Sequence, residues 1–251
     1  MNKKLAQSHK LAQNIDTFFV NLCNWESKSK IMFEAFKVKK IPRLFWSSEK
    51  TFTLIPKPLP LFVLLLGLFL FGFGEALLVV SGVGMSPWTV LADGIAAATG
   101  WTIGVATFVV SSCVLLLWLP LRQLPGIGTI LNVLVVAAVI EFFHLRLPSF
   151  DSLPLQILEA CAGVLIAGVG GGVYLIANLG PGPRDGLMTG LQKVSNLPLA
   201  VVRSGIEISV VSIGWILGGG TGIGTLLFAF GIGPSISVSM YFLLNVFSSE
   251  G

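Results

Sequence analysis

Six stretches of this chain, Leu59–Ser81, Thr102–Leu121, Thr129–Leu147, Leu155–Leu179, Pro198–Leu217 and Thr225–Phe247, are long and apolar enough to leave water. About 20 mainly apolar residues carry a helix across a hydrocarbon core. Within lipid every backbone N–H and C=O needs an internal partner, which restricts spanning structure to helices or closed barrels. Runs this long and uniform do not alternate as barrel strands do. Composition agrees, with 54% hydrophobic and 11% charged residues and a mean hydropathy of +0.86. Soluble domains carry about 25% charged residues. The expected fold class is therefore all-α, a polytopic membrane helix bundle of six transmembrane helices. The same figures exclude a disordered chain, and three cysteines exclude a disulfide-stapled secreted domain.

The charge is unevenly spread. Residues 1–58 hold eleven of the sixteen Lys and Arg against four acids, a balance of +7, while the rest of the chain carries −3. Cations beside the first span hold that side in the cytoplasm. Counting on from there, 82–101, 148–154 and 218–224 lie outside without Lys or Arg, and the inside connections hold Arg122, Arg184 and Lys193. Both termini are thus expected in the cytoplasm. Leu11, Ile15, Phe18, Phe19 and Leu22 have helical spacing in the basic leader, which suits a helix lying on anionic headgroups. The first long apolar run begins near Leu59, too late for a cleavable signal peptide. No nucleic-acid motif accompanies the charge. Cys23, Cys113 and Cys161 have no metal-ligand spacing.

Sliding the chain against itself shows an internal repeat. At an offset of 96, residues 67–131 match 163–227 at 15 of 65 positions without a gap. Gly126-Ile127-Gly128-Thr129 returns as Gly222-Ile223-Gly224-Thr225, Pro87 as Pro183, and Gly67, Gly72 and Gly74 as Gly163, Gly168 and Gly170. Each half, 59–147 and 155–247, reads as span, polar turn with a short helix, span, Gly-Ile-Gly-Thr, span. Three spans is an odd number, so the second half enters the membrane from the other side, the inverted repeat of many transporters and channels. The short segments 86–100 and 184–197 are expected as interfacial or re-entrant helices, because Asp93, Arg184, Asp185 and Lys193 disfavour full spans.

The candidate site follows from where polarity interrupts this pattern. Ser86, Pro87 and Trp88 in one half, and Arg184 and Asp185 in the other, open the two short helices at equivalent positions. Free N–H groups at helix starts suit polar or anionic solutes when they point into a bundle. Arg203 and Glu207 lie four residues apart on one face of the fifth span and suit a pair. Glu75, two-thirds along the first span, should face the bundle interior, with Asp185 or Arg203 as candidate partners. Glycine runs at 168–172 and 218–224 lack the rest of a phosphate loop and are read as close helix packing. Gly126-Ile127-Gly128-Thr129 reads as a tight turn capping a helix.

Taken together, Gly84-x-Ser86-Pro87-Trp88-x-Val90-Leu91, Gly126-x-Gly128-Thr129, Gly180-Pro181-x-Pro183-Arg184-Asp185-Gly186-Leu187-Met188 and Val202-Arg203-x3-Glu207 resemble the YczE/YyaS/YitT-type integral membrane proteins of bacteria. The resemblance covers about residues 59–247 and leaves the 1–58 leader outside. It implies a bacterial inner-membrane protein with five or six spans and no agreed substrate. The expected function is a small-solute permease or channel, not an enzyme, with no cofactor and no metal. A non-transporting scaffold or assembly factor that works through the leader is the alternative. Expected partners are the lipid bilayer and a small solute of unknown identity, not nucleic acid, with homo-oligomerisation left open.

Overall fold

The computed structural model describes residues 44–49, 51–53 and 56–247. The amphipathic face expected at 11–22, and Cys23, lie outside the described residues. Among the described residues eight helices follow one another: α1 (Pro58–Ser81), α2 (Pro87–Thr99), α3 (Ile103–Leu117), α4 (Ile127–His144), α5 (Leu153–Ile176), α6 (Pro183–Ser195), α7 (Leu199–Ile216) and α8 (Ile223–Phe247). No strand occurs among the described residues.

Local chemistry sets the boundaries. Pro87 and Pro183 stand at the starts of α2 and α6, where a missing N–H costs nothing. Ser86 caps α2 by accepting from the Thr89 N–H, and Thr102 caps α3 by accepting from that of Val105. At α4 the Thr129 hydroxyl reaches back from the first turn to accept from the Gly126 N–H at 3.1 Å, so the expected cap is made from inside the helix.

α1, α4, α5 and α8 are each long and apolar enough to cross a membrane, and a fifth crossing arises if α2 and α3, bent by 117°, form one broken span. The expected six spans become four or five by this measure. Two expected spans are not crossings of their own by this measure: 198–217, whose α7 is not counted, and 102–121, whose helix covers only the 15 residues of α3. At 1.5 Å per residue that is about 22 Å, short of a hydrocarbon core of roughly 30 Å. The stretch after it turns from Trp118 onward instead of continuing the helix.

Small residues decide how the long helices meet. α1 and α5 pack antiparallel, Gly67 against Gly170 and Tyr174, and Gly74 against Gly163 and Ala167. A Cβ on Gly67 or Gly74 would stand 2.5 Å from a backbone nitrogen of α5. In lipid, where apolar surface gains little by leaving its solvent, this backbone approach is a main source of helix association. The 168–172 run packs as expected, with Gly168, Gly171 and Gly172 against Ser235, Ile236 and Ser239 of a parallel α8. α2, α3, α6 and α7 form a second group beside this one, in which Trp118 at the end of α3 lies on Gly186 and donates through Nε1 to the Pro183 carbonyl at 3.0 Å.

The 96-residue offset reappears in the helix starts, 87 with 183, 103 with 199 and 127 with 223. It reappears again in hydrogen bonds between the halves. Gly128 N–H donates to Leu179 O at 2.8 Å, and Gly224 N–H to Val83 O at 2.8 Å. Gly84 and Gly180, one residue beyond those carbonyls, have φ of 119° and 123°, where only glycine sits without strain. Each Gly-Ile-Gly-Thr is therefore fastened to the chain reversal of the opposite half.

A short strap precedes α1. Trp46 is buried against Ile176, Met240 and Phe247, Ser47 Oγ donates to Ile176 O at 2.6 Å, and Ser48 N–H donates to Ala177 O at 3.0 Å.

The glycine seam is testable. Gly74→Ala should force α1 and α5 apart and lower stability by about 1–3 kcal/mol, the usual range for overpacking. Gly205→Ala on α7, where an added Cβ meets nothing within 4 Å, should leave the melting temperature of detergent-solubilised protein unchanged or slightly raised.

Candidate functional site

The bundle buries one carboxylate completely. Glu75, two-thirds along α1, is 0% exposed. Its Oε2 accepts from Ser86 Oγ at 2.6 Å and from Thr89 Oγ1 at 2.7 Å. Both donors belong to the first turn of α2, whose positive end favours a carboxylate there. Its Oε1 faces Arg184 at 3.6 Å, with no hydrogen bond among the described residues. Arg184 follows Pro183 at the start of α6 and stands over the Trp88 ring, 5.6 Å from the centroid. The partner of Glu75 is thus Arg184, and neither Asp185 nor Arg203 as expected. The reason is the first turn of α6, which aims residue 184 toward α1 and α2 and gives residue 185 to α5.

Asp185 instead accepts from the Tyr174 hydroxyl at 2.8 Å. Arg203 Nε donates to Glu207 at 2.9 Å, making the pair that their spacing predicts, with side chains 43% and 21% exposed. Trp88, Asn132, Tyr174, Arg184, Asp185, Arg203 and Glu207 line one hollow of about 90 Å³. By the same kind of measure a water needs about 10–15 Å³, so the space suits several waters or one small polar group. Phe228, Ile232 and Ile236 of α8 complete it on the apolar side.

Five of the eight expected site residues, Trp88, Arg184, Asp185, Arg203 and Glu207, meet in this hollow, and Glu75 stands behind Arg184. Ser86 is wholly buried and directs its one proton to Glu75. Pro87 is buried at the first position of α2 and contributes the helix start alone. Sequence reasoning missed Thr89, Tyr174 and Asn132. Thr89 had a signal, because it lies three residues after Ser86 and shares its helix face. Tyr174 had another, as one of two tyrosines in the chain, set just before the Gly180 turn.

Among the described residues no three His, Cys, Asp or Glu side chains are grouped as a metal would need. The profile of a family described as of unknown function, DUF6198, matches residues 59–241. The chain belongs to that family. The matched segment holds every residue of the hollow and leaves the basic leader outside. An uncharacterized protein of Haemophilus influenzae is 42% identical over 210 residues, covering 84% of this chain and 94% of its own length. The uncharacterized membrane protein YczE of Bacillus subtilis is 32% identical over 165 residues, covering 65% of this chain and 77% of that protein. The resemblance read from the motifs is therefore borne out, and family and helices together make this a membrane protein. No solved structure matches.

The burial of Glu75 makes a prediction. Glu75→Ala leaves Arg184 without its counter-charge and Ser86 and Thr89 without their acceptor, and should cost about 3–5 kcal/mol, the range for breaking a buried ion pair. Glu75→Gln keeps an oxygen for the two hydroxyls and should cost clearly less. Thermal unfolding in detergent, followed by tryptophan fluorescence, would rank the two.

Proposed function

We propose that this protein is a small-solute permease or channel of the bacterial plasma membrane, built from two inverted halves of three membrane-embedded helices each. The hollow carries the reading. It brings two arginines and two acids to one side of a partly apolar wall and sits among helices whose outer surfaces are apolar. Ionisable groups held at such depth are costly and mark solute or ion paths more often than they add stability.

The paired halves support the same reading. α1 packs antiparallel on α5, its counterpart in the repeat, as inverted halves would require. The starts of α2 and α6 then approach from opposite ends, and Arg184 of one meets Trp88 of the other. Broken helices whose ends meet at mid-depth bind solutes in secondary transporters, and rocking of one half against the other gives access from each side. Here α2–α3 and α6–α7 would fill the role of the broken spans. The basic leader argues for cytoplasmic termini.

Reconstituted protein should give solute-dependent flux in liposomes when a panel of small polar solutes is screened. Arg203→Ala and Asp185→Asn should abolish that flux without lowering the folded yield. Normal flux in both variants would remove the hollow from the path. The inverted arrangement has its own test at Trp101 and Leu197, which are exposed, joined by the 96-residue offset, and placed between α2 and α3 and between α6 and α7. Single cysteines there, with the three native cysteines replaced, should react with a membrane-impermeant maleimide from opposite sides, position 101 from outside. Labelling of both from one side would refute inversion.

A further inference from the structure

The charges around the hollow narrow what it can hold. Two arginines and two acids line it, and Glu75 stands behind Arg184 as a third acid. Each arginine has an acid of its own, since Arg184 faces Glu75 at 3.6 Å and Arg203 donates to Glu207 at 2.9 Å. Asp185 is left over. Its Oδ2 accepts from the uncharged Tyr174 hydroxyl, and its Oδ1 makes no hydrogen bond among the described residues. No guanidinium or ammonium pairs with it there. The surplus charge is therefore negative, and a half-satisfied carboxylate accepts best from a cation that carries N–H groups.

Donors are open around the same space. Arg203 uses only its Nε, so its two terminal nitrogens make no hydrogen bond among the described residues. Trp88 lines the hollow, is 5% exposed, and has no partner for its indole N–H among the described residues. Guanidinium and indole groups donate and cannot accept. A lone anion would leave Asp185 unmatched, and a lone cation would leave Arg203 and Trp88 unmatched. An occupant bearing both signs answers both.

Size restricts it further. With about 10–15 Å³ for each water-sized position, the hollow of about 90 Å³ holds roughly six to nine atoms, the size of alanine and short of a larger side chain. Positions joined by the 96-residue offset line it in pairs, Trp88 with Arg184, Ser111 with Glu207 and Asn132 with Phe228, so both halves face the occupant. Phe228 and Ile232 give it an apolar side that a methyl group can meet. A quaternary ammonium has no N–H for Asp185, which leaves a primary ammonium. A planar carboxylate is the acceptor that a guanidinium fork fits best.

We propose that the hollow binds a small zwitterionic amino acid of the alanine class, with its ammonium on Asp185 and its carboxylate on the free nitrogens of Arg203. This names the substrate class of the hollow and rests on that hollow being the site. Its test is binding, so that it can fail while transport of some other solute survives.

The full chain, purified in an uncharged detergent, is titrated with alanine, and binding is followed by calorimetry and by thermal unfolding. Saturable binding at one per chain is expected. Propionate is alanine without its ammonium, and ethylamine is alanine without its carboxylate. Each should bind at least about tenfold more weakly, through loss of one set of charge-assisted hydrogen bonds. Asp185→Asn should weaken alanine by a similar factor while leaving propionate no weaker, and Arg203→Gln should weaken alanine while leaving ethylamine no weaker. Loss of folding would not give that selectivity. Absence of alanine binding, or propionate or ethylamine binding as tightly as alanine, would overturn the assignment. So would equal binding of propionamide, which would assign the hollow to uncharged polar solutes. Flux of small polar solutes without alanine binding would overturn this inference and leave the permease reading standing. Binding without any flux would do the reverse.

Discussion

Two main-chain hydrogen bonds join the halves of this protein where each most needs a donor. The chain reversals after α1 and α5 expose the carbonyls of Val83 and Leu179, and each is met by the glycine N–H that opens a long helix of the other half. Neither half can complete its own reversal, so both must be present for either to be closed. The glycines on both sides of the contact let the backbones come this near, and the positive φ of Gly84 and Gly180 turns the chain within a single residue.

That closure positions the polar groups. Once the reversals are fixed, Pro87 and Pro183 start their helices at set depths, and the next residue of each, Trp88 and Arg184, points into the interior. Glu75 then receives a hydroxyl pair from one short helix and a guanidinium from the other. A buried acid with a partner from each half is stable only while the halves stay together. Trp88 Nε1 and Glu75 Oε1 are left without a hydrogen-bond partner among the described residues, and Trp88 lines the hollow.

Much of this was legible beforehand. The span positions of α1, α4, α5 and α8 follow from apolar run length, and the starts of α2 and α6 follow from Pro87 and Pro183. The glycines at 67, 74, 163 and 170 stood out through the repeat, and they are the seam. The Arg203–Glu207 pair followed from helical spacing. What could not be read was any contact between halves. Nothing along the chain says that Arg184 rather than Arg203 reaches Glu75, because that depends on how far α6 dips toward α1. The Tyr174–Asp185 contact lies within one half and depends on how the Gly180 turn folds α6 back on α5. The end of α3 at Leu117 had a signal in Pro120, which lacks an N–H and restricts Leu119, whereas the docking of Trp118 on Gly186 could not be read from the chain.

The strap before α1 has a mechanical meaning. Its bonds fall on Ile176 and Ala177, and the Asn178 side chain adds a third by donating to Ser48 O at 2.9 Å. All three lie within four residues of Gly180, so the strap ties the chain ahead of α1 to the turn from which α6 and Arg184 start.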